Sequence, residues 1–324
     1  MAKRQERSTA KDVWTDLHRI ADEAEPEVKK AFLDAVVQLQ DGIPLQKVRQ
    51  AYAKGDITEA IRLVEGVFDQ ISEELQIQIR NIQRGVLQDA GQLAATRLSD
   101  DILKNVSITF DGAHPQVLEL IRRQGAEILT ELDANTRKGI REIFAQSMEG
   151  RFSPRRFAEE LEGLVGLTPK QVKAVENYRK FLDTLEVGVP VRDMEIGNAE
   201  RRRLMRGGLR GFSQALSAAK KEDLAKKYAD RLLRERAEGL AQTVTLDAVA
   251  SGQDLMWRQA VERGLLEESE WEVFWVVTPD DRLCPICRPM HGETRKINGV
   301  YARKAGDGST VARPILHFRC RCVE

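Results

Sequence analysis

The sequence predicts a mainly α-helical protein: an elongated multi-helix body followed by a small C-terminal α+β module that contains a β-hairpin and a Cys/His cluster. Three observations lead to this fold class. Charged residues make up 31% of the 324 residues and aromatic residues only 6%, a composition typical of long, water-exposed helices and poor for all-β folds. Apolar residues recur at helical spacing over much of the chain. All four cysteines lie from Cys284 onwards, where alternation replaces that spacing.

Charge and hydropathy exclude two classes of partner for the chain as a whole. The 51 basic and 51 acidic residues cancel, so no net field draws the protein to DNA or to an anionic membrane. No apolar run approaches the roughly 20 residues that cross a bilayer, and the charged residues at the start are not followed by an apolar segment. We expect synthesis to end in the cytoplasm, without a membrane partner.

Residues 1–105 are predicted to form an N-terminal helical extension. Pro26 fits the first position of one helix. His18 is predicted to lie on the polar side of an amphipathic N-terminal helix, as a surface residue. A short helix is predicted over 44–54. Apolar residues then recur at intervals of three and four over 57–93 and predict one long amphipathic helix. Its apolar stripe serves either core packing within the chain or an intermolecular coiled-coil seam.

Residues 106–250 are predicted to form a second helical region. It begins where the helical period breaks, and residues 106–110 alternate as a strand does. Helical periodicity returns from Pro115 to Gly150.

Two further helix starts are indicated by capping side chains. Ser153 precedes Pro154 as an N-cap residue precedes a proline in the first turn. Thr168 and Gln171 have the spacing of a capping box.

A basic stretch follows at 199–236, with twelve basic side chains against five acidic ones. Such an excess is either a solvated helix face or a sequence-independent contact with DNA phosphates. No aromatic platform or groove-reading motif accompanies it. The candidate DNA-contact residues are Arg201, Arg202, Arg203, Arg206 and Arg210.

Residues 251–324 are predicted to form the C-terminal α+β module. Trp271 to Val277 alternate as a buried strand does. Asn298-Gly299 is the signal of a type I′ turn, which predicts a hairpin between Lys296-Ile297 and Val300-Tyr301.

The cysteine pattern of this module predicts a metal site. Cys284 and Cys287 form a CxxC turn, the geometry from which zinc takes two of four tetrahedral ligands. His317, Cys320 and Cys322 supply the other half. An extended chain end puts Cys320 and Cys322 on one face and His317 on the other, whereas a helical end pairs His317 with Cys320. Five candidate ligands therefore compete for four places.

Structural zinc is the leading interpretation of this pattern, and several alternatives stay open. The cysteines are otherwise metal-free thiols, a late disulfide or a redox CxxC. His291 is a substitute ligand for Cys287. A catalytic zinc requires a nearby acid or base, for which Glu293 and Asp281 are available. The sequence has no phosphate-binding loop, GxSxG or HExxH motif, so we expect no enzymatic activity.

Several motifs resemble the phage Mu F-like minor head proteins, also called phage head morphogenesis proteins. They are the run from Trp275 to Cys287, with Asp281-Arg282 before the CxxC, and the closing His317-x-x-Cys320-Arg321-Cys322. Further upstream, Gly166 to Gln171 and Ala174 to Arg179 are similar to the helical part of the same family. The resemblance covers roughly residues 106–324.

The resemblance implies a minor capsid component that acts in head morphogenesis. It implies synthesis in the host cytoplasm, assembly into the procapsid near the portal, and a final location in the virion. The implied partners are portal, capsid or scaffold proteins and the packaged double-stranded DNA. The alternatives are an enzyme of a phage-derived element, either a metal-dependent nuclease or a toxin-type transferase, and a DNA-binding module without a head role.

Overall fold

The computed structural model describes residues 10–98, 108–150, 152–185, 190–191, 197–206, 216–277, 284–302 and 310–324. Within these ranges the protein is mainly α-helical, with a small antiparallel sheet and a Cys/His cluster near the end of the sequence, which confirms the predicted fold class. No helix among the described residues is both long and apolar enough to span a bilayer. The elements are α1 (Ala10–Gly42), α2 (Leu45–Ala53), α3 (Ile57–Leu98), α4 (Pro115–Glu149), α5 (Pro154–Leu164), α6 (Pro169–Asp183), α7 (Asn198–Arg206), α8 (Ala218–Glu262), β1 (Glu272–Phe274), a 3₁₀ turn (Arg288–Met290) and β2 (Thr294–Lys296).

Two compact units divide the chain, and each is assembled from separated segments. Unit 1 comprises Met1–Phe32, Leu75–Leu129 and Ala237–Glu324, and unit 2 comprises Leu33–Glu74 and Thr130–Arg236. The units are defined by which segments lie close together in space, so they do not coincide with the three consecutive regions 1–105, 106–250 and 251–324. Those regions stay predictions about the organisation of the sequence.

The long helix predicted over 57–93 is confirmed, since α3 runs for 42 residues. Its apolar stripe is buried within the chain, as at Val64, Ile79 and Ala90. Burial at these positions agrees with the first alternative, in which the stripe packs in the core of the chain.

Pro26 does not begin a helix, because α1 starts at Ala10 and contains it. A proline removes one backbone hydrogen bond and is costly inside a helix. Buried residues lie on both sides of it, including Leu17 and Val28, and their packing offsets this cost.

Both predicted helix caps are confirmed. The Ser153 hydroxyl accepts a bond from the Arg156 backbone N–H at 3.3 Å. Thr168 and Gln171 form a complete capping box, with bonds of 3.3 and 3.0 Å in the two directions. These caps fix the starts of α5 and α6.

The strand predicted over 106–110 is wrong for residues 108–110, which are not in a strand; Val106 and Ser107 lie outside the described residues. Ile108 and Phe110 are buried as the alternation indicates. The nearby backbone groups instead bond to side chains of α8 and of the residue that follows it: Gln259 bonds to both backbone groups of Asp111, and Arg263 donates to the Thr109 carbonyl.

The C-terminal sheet pairs β1 with β2, with Val273 opposite Arg295. The predicted hairpin centred on Asn298-Gly299 is therefore wrong, although a turn is present there. The Gly299 N–H donates to the Lys296 carbonyl at 2.9 Å, and Asn298 does not have the positive φ that a type I′ turn needs. Glycine is the last residue of this turn, so its conformational freedom does not select the type I′ form.

Candidate metal centre

The CxxC segment forms a tight turn after β1. The Cys287 backbone N–H donates to the Cys284 sulfur at 3.3 Å, and the Arg288 N–H donates to the Cys284 carbonyl at 3.0 Å. Cys287 is buried and Cys284 half-buried. The backbone thus brings two sulfurs to one side, as the sequence predicts.

The second half of the site combines the two conformations that the sequence left open. A turn brings His317 and Cys320 together, with the Cys320 N–H bonded to the His317 carbonyl at 3.0 Å and Arg319 at a φ of 63°. The chain then extends, and Val323 forms an antiparallel bridge with Val276. Alternation along this extended end places Cys320 and Cys322 in the same buried cluster.

The side chains of the two halves meet. His317 Nε2 lies 2.9 Å from Cys284 Sγ and 3.2 Å from Cys287 Sγ. Cys287 Sγ and Cys320 Sγ are 3.6 Å apart. The ligand atoms form two groups that share Cys287, and within each group the atoms lie within 4.8 Å of one another. These groups are Cys284, Cys287 and His317, and Cys287, Cys320 and Cys322.

The thiols of this Cys/His cluster do not ionise alike. Hydrogen bonds from Cys287 and Cys322 lower the pKa of Cys320 to about 2, although burial opposes them. The bonds to its two neighbours and burial raise the pKa of Cys287. The bond with Cys287 lowers the pKa of Cys322, but the bond with Cys320 and burial outweigh it and raise the pKa to about 12. A bound cation removes the repulsion that prevents adjacent thiolates from forming together.

His317 is oriented as a metal-binding imidazole. Its Nδ1 lies 2.9 Å from the Phe318 carbonyl, which accepts the ring N–H. The lone pair of the neutral ring is then on Nε2, the nitrogen that faces the two sulfurs. This bond to a carbonyl is the usual outer contact of a ligating histidine.

Sulfur and imidazole donors suit a tetrahedral ion such as zinc, and the distance between two of the sulfurs agrees with it. Zinc–sulfur bonds of about 2.3 Å at a tetrahedral angle place two sulfurs roughly 3.8 Å apart, close to the distance between Cys287 and Cys320. Neither His291 nor Glu293 belongs to a ligand group, and His291 is exposed. Asp281 lies outside the described residues.

An apolar wall backs the cluster. Trp275 is fully buried and packs edge-on against Tyr301, with ring centroids 5.2 Å apart. The Trp275 indole nitrogen is buried without a hydrogen-bond partner among the described residues. The burial that sequence alternation predicted for Trp275 is confirmed, but the strand predicted over 271–277 is shorter, since β1 ends at Phe274. The alternation gave no indication of Tyr301 as the partner of Trp275.

The Arg295 network is a second buried polar centre of unit 1 that the sequence did not reveal. Arg295 donates to both carboxylate oxygens of Glu324, at 3.0 and 2.9 Å, and to Asp254 at 2.8 Å. The Tyr301 hydroxyl donates to Glu324 at 2.7 Å. The Arg295 and Glu324 side chains are both 0% exposed. No spacing rule links residues so far apart in sequence.

His18 is buried, so its predicted surface position is wrong. Its ring stacks on Trp14, and both side chains bond to the Arg321 carbonyl, between two of the candidate ligands. Burial lowers the pKa of His18. The spacing of Trp14 and His18, four residues apart on a helix, is the one sequence signal that pairs them.

The predicted DNA-contact residues lie partly on α7. Arg202 and Arg206 are exposed. Arg201 is half-buried and donates to the Val191 carbonyl at 3.4 Å and to Asn198 at 3.0 Å. Arg210 and the side chain of Arg203 lie outside what the structure describes.

Much of the remaining basic stretch is neutralised locally. Lys220 and Lys227 both pair with Asp223, at 3.0 and 3.2 Å, and Lys221 pairs with Asp183. Arg236 is buried, which lowers its pKa to about 10. Asp223 is one of the five acidic residues already counted, so the pairing of Lys221 with Asp183 and the burial of Arg236 are what make the excess charge available to phosphates smaller than the sequence count.

Comparisons with known protein families, with characterised proteins and with solved structures find no match to this chain. The resemblance to phage head proteins consequently depends on the quoted motifs alone.

Proposed function

We propose that the Cys/His cluster binds one zinc ion as a structural centre of the chain from β1 onwards, residues 272–324, hereafter the C-terminal module. One observation carries this proposal: two ligand motifs separated by about thirty residues meet, with His317 Nε2 and Cys287 Sγ 3.2 Å apart. The donors are sulfur and imidazole nitrogen, which zinc prefers in structural sites. Cys287 belongs to both groups of ligand atoms. The four ligands come from Cys284, Cys287, Cys320, Cys322 and His317, with His317 as the alternative to Cys320 or Cys322.

A structural role agrees with the poor secondary structure of the module. β1 and β2 have three residues each, too few to be stable alone. Zinc in finger peptides contributes on the order of 10 kcal/mol of apparent binding free energy, which is large compared with what such short strands supply.

Metal analysis of the purified, reduced protein tests this proposal. We expect about one zinc per chain, lost in Cys287→Ser because Cys287 belongs to both ligand groups. His291→Ala is the matched control, since His291 lies close in sequence but is exposed and outside both groups. Metal-free wild-type protein with a protease-resistant module would contradict the proposal and favour packed thiols.

We further propose that the protein is a non-enzymatic minor component of a phage head, which acts in head morphogenesis near the portal. The quoted motifs of residues 106–324 support this role. Long helices such as α3 and α8 suit an assembly protein, because they offer extended surfaces to portal, capsid or scaffold partners. The proposed final location is the virion, after synthesis in the host cytoplasm.

A genetic experiment tests the head role. Deleting the gene from the phage or prophage that carries it should leave DNA replication and lysis unchanged and reduce the yield of filled heads. Mass spectrometry of purified heads should detect the protein. Normal heads without the protein would contradict this role, and catalytic turnover lost on substitution of a single acidic residue would favour the enzyme alternative.

Binding to packaged DNA is the third element of the proposal, carried by the exposed Arg202 and Arg206. Replacing both with alanine should weaken binding to any duplex equally and reduce the salt slope by roughly 0.9 for each phosphate that the protein no longer neutralises. Lys227→Ala is the matched control, because Lys227 already pairs with Asp223. If the wild-type protein does not bind duplex DNA at low salt, the DNA-binding proposal is wrong and these arginines only form a solvated surface.

A further inference from the structure

The segment that carries three of the candidate ligands, residues 317–322, is held by side chains of α1. Trp14 Nε1 and His18 Nε2 both donate to the Arg321 carbonyl oxygen, at 3.2 and 3.1 Å. The two rings stack with centroids 3.8 Å apart. Both lone pairs of this oxygen are thus occupied, and the peptide group that joins Arg321 to Cys322 is fixed from the helix.

A second set of contacts holds the same segment from α8. The Thr243 hydroxyl accepts a bond from the Arg319 backbone N–H at 2.9 Å. Gly239 lies one helical turn earlier, and a Cβ there would overlap the Phe318 ring and the Arg319 side chain. The turn between His317 and Cys320 therefore rests on a helix surface shaped to receive it.

These contacts act on the backbone between ligands and do not touch the ligand atoms. The Arg321 carbonyl lies between Cys320 and Cys322, so its direction sets how both sulfurs approach Cys287. Groups that orient metal ligands in this indirect way commonly change metal affinity by 10- to 100-fold when they are removed.

We infer that Trp14 and His18 are positioning residues of the metal centre, and that metal binding is coupled to the docking of the first turns of α1. The inference rests on the proposed zinc site. The coupling is reciprocal by linkage: α1 strengthens metal binding, and bound metal reduces the opening of α1.

Zinc affinity, measured by competition with a chromophoric chelator, tests the first half of the inference. Trp14→Phe keeps an aromatic ring and removes the N–H donor, and His18→Leu removes the second donor. We expect each variant to bind zinc about tenfold more weakly, with unchanged stoichiometry, because all ligands remain. His18→Gln keeps a donor and should restore most of the affinity.

Trp257→Phe is the matched control, because Trp257 is a partly buried tryptophan packed against the same hydrophobic core as Trp14. Its affinity should equal that of the wild type. Equal affinity in Trp14→Phe and in the wild type would overturn the inference and leave the zinc proposal intact. Wild-type protein without zinc affinity would overturn both.

Hydrogen exchange tests the reciprocal half of the inference. Removing zinc from the wild-type protein should accelerate exchange in peptides that cover residues 10–24, and adding zinc should restore their protection. Peptides from α6, in unit 2, serve as the internal control and should not change. Equal protection of residues 10–24 with and without zinc would show that no coupling exists.

Discussion

The core of unit 2 and the C-terminal module are held together in different ways. In unit 2, apolar side chains of helices pack directly: Phe157 contacts Tyr52 and Phe144, with ring centroids 4.1 and 4.8 Å away, and all three are buried. Among its described residues the C-terminal module has two three-residue strands, and the Cys/His cluster and the Arg295 network join its distant segments. Where helices are few, bonds between residues distant in sequence must specify the fold.

The Arg295 network shows what such bonds cost and what they specify. Burying Arg295, Glu324 and Asp254 removes three charges from water, and this penalty is offset only when nearly every donor and acceptor has a partner. Here the guanidinium also donates to the backbone carbonyls of Lys296 and Ile297. The network therefore fixes where the chain after β2 runs, which apolar contacts alone do not.

The largest expected effect is in the apolar core of unit 2. Phe157→Ala leaves a cavity among closely packed rings and should lower the free energy of unfolding by about 4 kcal/mol. Chemical denaturation followed by circular dichroism measures this loss, and zinc removal should not change it. Val37→Ala is the control, because Val37 is a largely exposed apolar residue of the same unit. A loss below about 1 kcal/mol would mean that the unit 2 core tolerates cavities.

The second effect is in the C-terminal module. Arg295→Met leaves Glu324 buried without its cation and Asp254 with Arg258 alone, and should cost about 3 kcal/mol of local stability. Limited proteolysis and hydrogen exchange should locate the loss in residues 272–324. Arg258→Met is the matched control: Arg258 also bonds to Asp254, at 2.8 Å, but is 35% exposed. Equal effects of the two substitutions would show that burial of the network is unimportant.

The fold of the helices could be predicted because its determinants are local. The stripe over 57–93 and the caps at Ser153 and Thr168 each involve residues within a few positions of one another. The prediction of a strand at residues 108–110 was wrong because the backbone partners of this segment, such as Arg263, lie far along the chain. Pro26 was misleading because packing of distant residues overrides a local helix-start signal.

The candidate site divides in the same way. The CxxC turn and the alternation of Cys320 and Cys322 are local, and each predicted which sulfurs lie on one side of the chain. They left open whether His317 joins the CxxC, which the fold decides. The contacts of Trp14 and His18 with Arg321 join residues more than 300 positions apart, and no spacing indicates them. The prediction of a type I′ turn at Asn298 was also wrong, because pairing with β1 determines the path of β2.

A smaller effect sharpens the comparison by testing how closely α4 approaches the backbone of a neighbouring segment of unit 2. A Cβ at Gly139 would clash with the Leu167 backbone carbonyl, so Gly139→Ala should cost about 2 kcal/mol in chemical denaturation. Gly66→Ala is the matched control, because no atom lies within 4 Å of the added Cβ. Alanine there should stabilise α3 by about 0.5–1 kcal/mol. The same sign for both substitutions would contradict the close approach.

The smallest effect concerns the helix caps, the most local interactions in unit 2. Thr168→Ala removes the acceptor for the Gln171 N–H and should cost about 1 kcal/mol. Gln171 also donates to the Leu232 carbonyl at 2.9 Å, so loosening the box disturbs a long-range bond as well. Ser153→Ala removes a cap without such a link and should cost less, and Thr168→Ser should restore stability. Hydrogen exchange in the first turns of α5 and α6 measures both losses. If Ser153→Ala proves the costlier change, the Gln171–Leu232 bond does not depend on the capping box, and the caps act only on their own helices.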